Sequence, residues 1–254
     1  MGDILAALPL WFLLASLTIL GAIWGSFVAA LCCRWANGES VIKGRSRCDQ
    51  CSKPIVFYDL IPVISYLVLK GKCRACGHKI GVQPIAIEII AALIGAASCL
   101  LLPATQALAA AIFGWSLLPL LILDYKHLWL PDRLIVLLVI AGLLFGALLT
   151  PDVSALDRVI GALAGFLALE IIRHTYQRLR DRDGMGAGDP KLFGALGIWL
   201  GWQALPITLL IASAIGLGVL LVMRAANAGR QEFFPFGSYL AAAAYLSILA
   251  QRIA

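Results

Sequence analysis

Apolar segments recur along the whole chain, and that recurrence limits its folding more than any other feature. They stand at 9–33, 84–102, 106–124, 132–149, 157–176, 188–200, 203–223 and 235–250. About 20 helical residues cross the ~30 Å hydrocarbon core of a bilayer, and a spanning segment must satisfy its own backbone hydrogen bonds, which favours helices. The runs predict an all-α polytopic membrane protein with about eight transmembrane helices. Hydrophobic residues are 61% of the 254 and charged ones 13%, a balance that excludes a soluble globular core. The run at 188–200 is short and Gly-rich, so its ends are the hardest to place. The first run is too long for the apolar part of a signal peptide and follows no basic residue, so it is expected to be retained. Ala6 stands where a myristoylation signal needs Ser or Thr, and no lipid anchor is expected.

The net charge of +6 does not point to nucleic acid, because positive charge in such a chain collects on cytoplasmic loops. Arg34, Lys43, Arg45, Arg47, Lys53, Lys70, Lys72, Arg74 and Lys79 fall between the first two runs, opposed only by Glu39, Asp49 and Asp59. Lys126 and Arg133, then Arg173, Arg178, Arg180, Arg182 and Lys191, then Arg224 and Arg230 mark three further inside turns. The turns at 103–105 and 201–202 carry no Lys or Arg, and that at 150–156 carries only acid. Alternation places those outside, with both termini periplasmic. No internal repeat or low-complexity linker is legible.

The first loop holds Cys48-Asp49-Gln50-Cys51 and Cys73-Arg74-Ala75-Cys76. Two residues between thiols let one tight turn present both sulfurs to one ion, and two such turns complete the tetrahedral shell that Zn²⁺ favours. In a reducing cytoplasm a pair of disulfides is the weaker reading. Four protein ligands leave no open position, so the zinc is expected to fold the loop, with His78 a bystander. Cys32, Cys33 and Cys99 lie in apolar runs and are expected to pack there.

Asp124 ends one apolar run, and Asp189 opens another within Gly186-Ala187-Gly188-Asp189-Pro190-Lys191. An ionisable group at the edge of hydrocarbon is a functional candidate, with a solvated helix cap as the plain alternative. Gly186 and Gly188 permit a close approach that would carry Asp189 into a crevice. Two carboxylates brought together cannot both ionise cheaply, so one keeps a proton while the other activates water. The glycines do not fit a nucleotide-binding pattern, and serine-hydrolase and zinc-protease motifs are absent. Lys191 could tune Asp189 or extend to the interface. Asp132 is expected to cap a helix, and Glu88, inside the second run, to seek a polar partner. Small-residue runs at 161–165 and 194–201 could let spans pack closely and part locally.

Together these residues resemble the bacterial type IV prepilin peptidases, GxGD aspartyl proteases. The resemblance runs through Gly25-Ser26-Phe27, Ser46-Arg47-Cys48, Ile61-Pro62-Val63-Ile64-Ser65-Tyr66, Gly71-Lys72-Cys73-Arg74, Leu130-Pro131-Asp132, the Gly186–Lys191 stretch and Pro235-Phe236-Gly237. It implies that Asp124 and Asp189 cut the basic leader from prepilins or pseudopilins, after a glycine and before an apolar helix, at the cytoplasmic face of the bacterial inner membrane. It also implies N-methylation of the new terminus with S-adenosylmethionine, an activity associated with the cysteine loop. The organisation implied is a first helix at 1–33, a zinc loop at 34–83 and a membrane peptidase domain at 84–254. Ala29, Val82-Gln83, Asp49 and Ser238 depart from the family pattern, which has Asn, Arg-Tyr, Pro and Pro there. Three of these departures sit in or beside the cysteine loop. A proton- or cation-coupled transporter, a zinc-stabilised scaffold and a presenilin-like protease are the rival readings.

Overall fold

A computed structural model describes residues 8–36, 38–39, 46–181, 184–226 and 234–250. Lys43, Arg45, Arg182 and Arg230, which contribute to the charge pattern, and both chain ends lie outside those residues. The described chain is helical, with two isolated β-bridges and no strand. The helices are α1 (Leu10–Ala36), α2 (Ile64–Val68), α3 (Gln83–Leu101), α4 (Ala104–His127), α5 (Asp132–Leu149), α6 (Ala155–Arg180), α7 (Gly188–Leu200), α8 (Leu205–Ala225) and α9 (Phe236–Ala250). All but α2 coincide with the apolar runs. Five of them, α1, α3, α4, α5 and α8, are long and apolar enough to cross a membrane; α7 and α9 are shorter, at 13 and 15 residues.

Local chemistry sets the ends. Ser154 caps α6, its hydroxyl oxygen accepting the Asp157 N–H at 3.1 Å, as a capping residue does for the free amides of a first turn. Leu128 and Asp181 close α4 and α6 in the left-handed conformation, and Gly201, at φ +76°, closes α7. The chain divides into two compact units, 1–100 and 101–254.

In the first unit α1 meets α3 through glycines. A Cβ on Gly25 would stand 2.6 Å from the Glu88 Cα, and one on Gly21 would overlap the Ala91 carbonyl. Small residues let the two backbones approach, which gives Gly25 of the Gly-Ser-Phe stretch a packing role. Glu88 is buried, and its carboxylate accepts the Val63 N–H at 2.8 Å. Val63 holds a left-handed φ of +63°, costly for a β-branched residue, and the Glu88 bond secures that turn. Cys32 and Cys99 are buried as expected, but Cys33 is exposed.

In the second unit the Gly161–Gly165 and Gly194–Gly197 runs face each other. A Cβ on Gly197 would overlap the Gly161 backbone; one on Gly194 would stand 2.9 Å from the Ala162 carbonyl oxygen. These runs fasten α6 to α7. Arg158 on α6 joins two helix ends: its guanidinium donates to the carbonyls of Ile198 (3.0 Å) and Trp199 (2.9 Å) at the end of α7, and to the Thr150 carbonyl (2.6 Å) and hydroxyl (2.8 Å) after α5. Those terminal carbonyls lack helical partners. The buried Trp199 indole N–H donates to the Leu138 carbonyl at 2.9 Å.

Candidate active site and metal centre

Each half of the cysteine cluster is a copy of one turn, displaced by 25 residues. In the first, the Cys48 N–H donates to the Lys53 carbonyl (3.0 Å), the Ser52 N–H to the Cys48 carbonyl (2.9 Å) and the Ile55 N–H to the Ser46 carbonyl (2.7 Å). In the second, Cys73 donates to His78 (2.8 Å), Gly77 to Cys73 (2.9 Å) and Ile80 to Gly71 (2.7 Å). The bridges Arg47–Pro54 and Lys72–Lys79 follow the same offset. Ser52 and Gly77 hold positive φ at equivalent places, a conformation that glycine adopts at less cost than serine. This local repeat escaped the sequence reading, because the backbone preserves what the side chains do not.

The turns bring Cys48, Cys51, Cys73 and Cys76 together, all four sulfurs within 4.8 Å of one another and Cys48 and Cys76 at 3.8 Å. Sulfurs bound at ~2.3 Å to a central tetrahedral ion would stand ~3.8 Å apart. The cluster can hold a metal ion. Amide groups of Cys76 and Ala75 draw the Cys73 thiol down to about 7. The His78 amide pulls Cys76 the same way, but desolvation and the neighbouring Cys51, Cys73 and Cys48 thiols outweigh it and push Cys76 up to about 11. A divalent cation would relieve that competition by taking all four as thiolates. Arg74, between the two cysteines of the second turn, forks onto Asp59 at 2.7–3.2 Å. Its hydrogen bonds, and secondarily its charge, hold the Asp59 carboxyl below the usual range.

In the second unit α4 ends by carrying Asp124 inward, and α7 begins with Asp189; the two are 5% and 4% exposed. The carboxylates converge on Gly237 in the first turn of α9. A Cβ there would lie 2.9 Å from Asp189 Oδ1, 3.1 Å from Asp124 Oδ2 and 2.8 Å from Leu130 Cδ1. The sum of the first two distances is the most that can separate those oxygens, so the pair falls within reach of one small molecule. Asp189 Oδ2 accepts the Gly186 N–H at 3.2 Å. Neither Gly186 nor Gly188 has a positive φ; Gly188 is needed for close approach, since a Cβ would stand 2.6 Å from the Leu130 Cβ.

Lys191 pairs with Asp132 at 2.6 Å, both partners being substantially exposed. Asp132 is the first residue of α5, whose capping position is Pro131. The acid stands in the first turn, where it favours the helix dipole as expected, and its carboxylate also makes this ion pair across to α7. Three contributors were not legible as such: Gly237 as the gap between the acids, Leu130 as the side chain packed on two glycines, and Ser238. The Ser238 N–H donates to Asp124 Oδ2 at 2.6 Å, and no local pattern announces a bond across 114 residues.

Residues 19–102 match the bacterial peptidase A24 N-terminal domain, and residues 111–221, with both acids, match the type IV leader peptidase family. The chain belongs to the type IV leader peptidase family. Prepilin leader peptidase/N-methyltransferase of Aeromonas hydrophila is 41% identical over 208 residues, 81% of this chain and 71% of that protein. The proteins of that name from Pseudomonas aeruginosa and Burkholderia pseudomallei are 33% and 36% identical, over 97% and 93% of this chain and 93% and 85% of their own lengths. No solved structure matches the chain. The apolar helices and membership of this peptidase family fit a multi-pass protein of the inner membrane and leave the transporter reading without support.

Proposed function

We propose that this family member is an aspartyl endopeptidase of the inner membrane in which Asp124 and Asp189 share one proton and cleave prepilins or pseudopilins. The convergence of the two buried carboxylates on Gly237 carries this reading. Two carboxyl groups so close titrate as a pair and favour the singly protonated state. The ionised member takes a proton from water as its oxygen attacks the scissile carbonyl carbon, and the protonated member gives its proton to the carbonyl oxygen. The resulting diol then collapses: the C–N bond breaks, the amine nitrogen takes a proton from one carboxyl, and a diol hydroxyl returns one to the other.

The substrate is a chain with a basic leader, then Gly, then an apolar helix. The leader stays with the cytoplasmic phase while the helix lies in the bilayer, which puts the scissile bond at the interface where the acidic pair stands. Lys191, tied to Asp132, steadies the start of α7. Zinc fills the Cys48, Cys51, Cys73 and Cys76 site and folds the loop on the cytoplasmic side. The first unit supports methyl transfer from S-adenosylmethionine to the new terminal amine, with Glu88 fixing the turn at Val63.

Purified enzyme is mixed with a prepilin bearing a basic leader, Gly and Phe, and products are read by mass spectrometry with and without S-adenosylmethionine. Cleavage after Gly is expected to fall at least about 10³-fold in Asp124→Asn and in Asp189→Asn. Cleavage persisting near the wild-type rate in either variant would falsify the paired-acid reading.

A further inference from the structure

Ser238, the residue after Gly237, is the closest polar neighbour described for Asp124. Its backbone N–H donates to Asp124 Oδ2 at 2.6 Å, and its hydroxyl oxygen stands 3.0 Å from the same Oδ2 and 2.9 Å from the Leu121 carbonyl oxygen. Among the described residues, Asp189 receives the Gly186 amide alone, at 3.2 Å. Donors aimed at a carboxylate favour its charged form, and short charge-assisted bonds do so most. The Ser238 N–H, which also reaches the Pro235 carbonyl oxygen at 3.1 Å, lies in the first turn of α9, where the helix dipole favours an anion. Asp189 stands in the first turn of α7 and Asp124 in the last turn of α4, so the dipoles of their own helices favour charge on Asp189; the Ser238 donors act against them at Asp124.

The hydroxyl adds a second property. It has one proton and two acceptors in reach. Facing an ionised Asp124 it donates to the carboxylate; facing a protonated Asp124 it turns to the Leu121 carbonyl, and its oxygen accepts from the carboxyl. One side chain thus satisfies Asp124 in both of the states that hydrolysis requires.

We propose that Ser238 is a positioning residue that makes Asp124 the ionised, water-activating member of the pair and leaves the shared proton on Asp189. This rests on the paired-acid reading above. Proline at this position would supply neither donor.

Among the described residues, the other titratable groups on the elements around Asp124 are Asp189 on α7; Tyr125, Lys126 and His127, which follow it on α4; Tyr239, within electrostatic reach of Asp124 and Tyr125, and Tyr245 on α9; and the Lys191–Asp132 pair with Arg133 at the start of α5. All are common to wild type and variants, so a difference between their pH profiles reads Ser238.

The experiment is the pH profile of kcat/KM for prepilin cleavage by the full-length enzyme. Ser238→Ala keeps the amide and removes the hydroxyl, and its acidic limb is expected to move to higher pH by roughly one unit. Ser238→Thr restores the wild-type limb, and Ser238→Pro, lacking both donors, moves it further. Ser238→Cys, a weak donor of similar size, is read like Ser238→Ala should the latter fold poorly. An acidic limb that stays in place in Ser238→Ala, even with the rate lowered equally at every pH, overturns the proposal, as does a shift in Ser238→Thr matching that in Ser238→Ala. Asp124→Asn and Asp189→Asn are measured alongside. Activity in either sinks the pair itself, whereas both inactive with an unmoved limb sinks only the role given to Ser238.

Discussion

The two units build their sites in opposite ways. The cysteine cluster is two copies of one short turn, each completed by bonds spanning at most nine residues, such as Ile55 to Ser46 and Ile80 to Gly71. The acidic pair has no such local unit. Its members come from the end of one helix and the start of another, and the gap between them is set by a glycine on a third. A site made of repeated turns depends on its ion and tolerates changes in the helices; a site made by helix convergence depends on volumes of a single methyl group.

The sharpest way to break this contrast is to add that methyl group. Gly237→Ala places a carbon 2.9 and 3.1 Å from the two carboxylate oxygens, and displacement of such groups costs on the order of 10²-fold in rate. Cleavage is expected to fall by that factor while zinc content, measured by atomic absorption, stays at the wild-type level; wild-type cleavage would mean the acids do not meet at Gly237. The converse is removal of the metal. Chelation, or Cys76→Ser, should disorder the 46–80 segment and abolish methyl transfer, while cleavage stays within roughly ten-fold because each described contact of the acidic pair lies in residues 101–254. Protease nicking in the loop together with the two product masses reads both effects, and equal loss of both activities would show that the units are not separable. The smallest effect belongs to Asp59 and Arg74. A carboxyl held below its ordinary value contributes stability above the unfolded pKa, about 3.9, and loses it as pH falls through the lower folded value. Asp59→Asn is therefore expected to weaken the loop's resistance to proteolysis slightly at pH 7 and to match the wild type once the pH has fallen below the lowered folded value; a difference that persists there would assign the effect to packing.

The same contrast explains what the sequence revealed. Cys-x-x-Cys spacing is a local geometric constraint, so the four-sulfur cluster was legible from its residues, and the apolar runs were legible because the bilayer imposes their length. Asp124 and Asp189 stood out as acids at the edges of apolar runs, and the structure brings them together. Gly237 and Ser238 entered only as a motif match and a departure from one, and Arg158 was silent, because their contacts come from register between helices far apart in sequence. Lys191 and Asp132 were read singly, as tuning group and cap, and proved to be partners of each other.

The short α7 has a consequence for how such a chain enters a membrane. Thirteen residues reach only ~20 Å, against ~30 Å of hydrocarbon, and the first of its turns holds an acid. Such a segment gains little by partitioning into lipid on its own. Its last carbonyls find their donors on Arg158, and its glycines find their groove on α6. Residues 155–180 thus act as a receiving template for 188–200, and the position of Asp189 depends on that packing more than on the lipid around it.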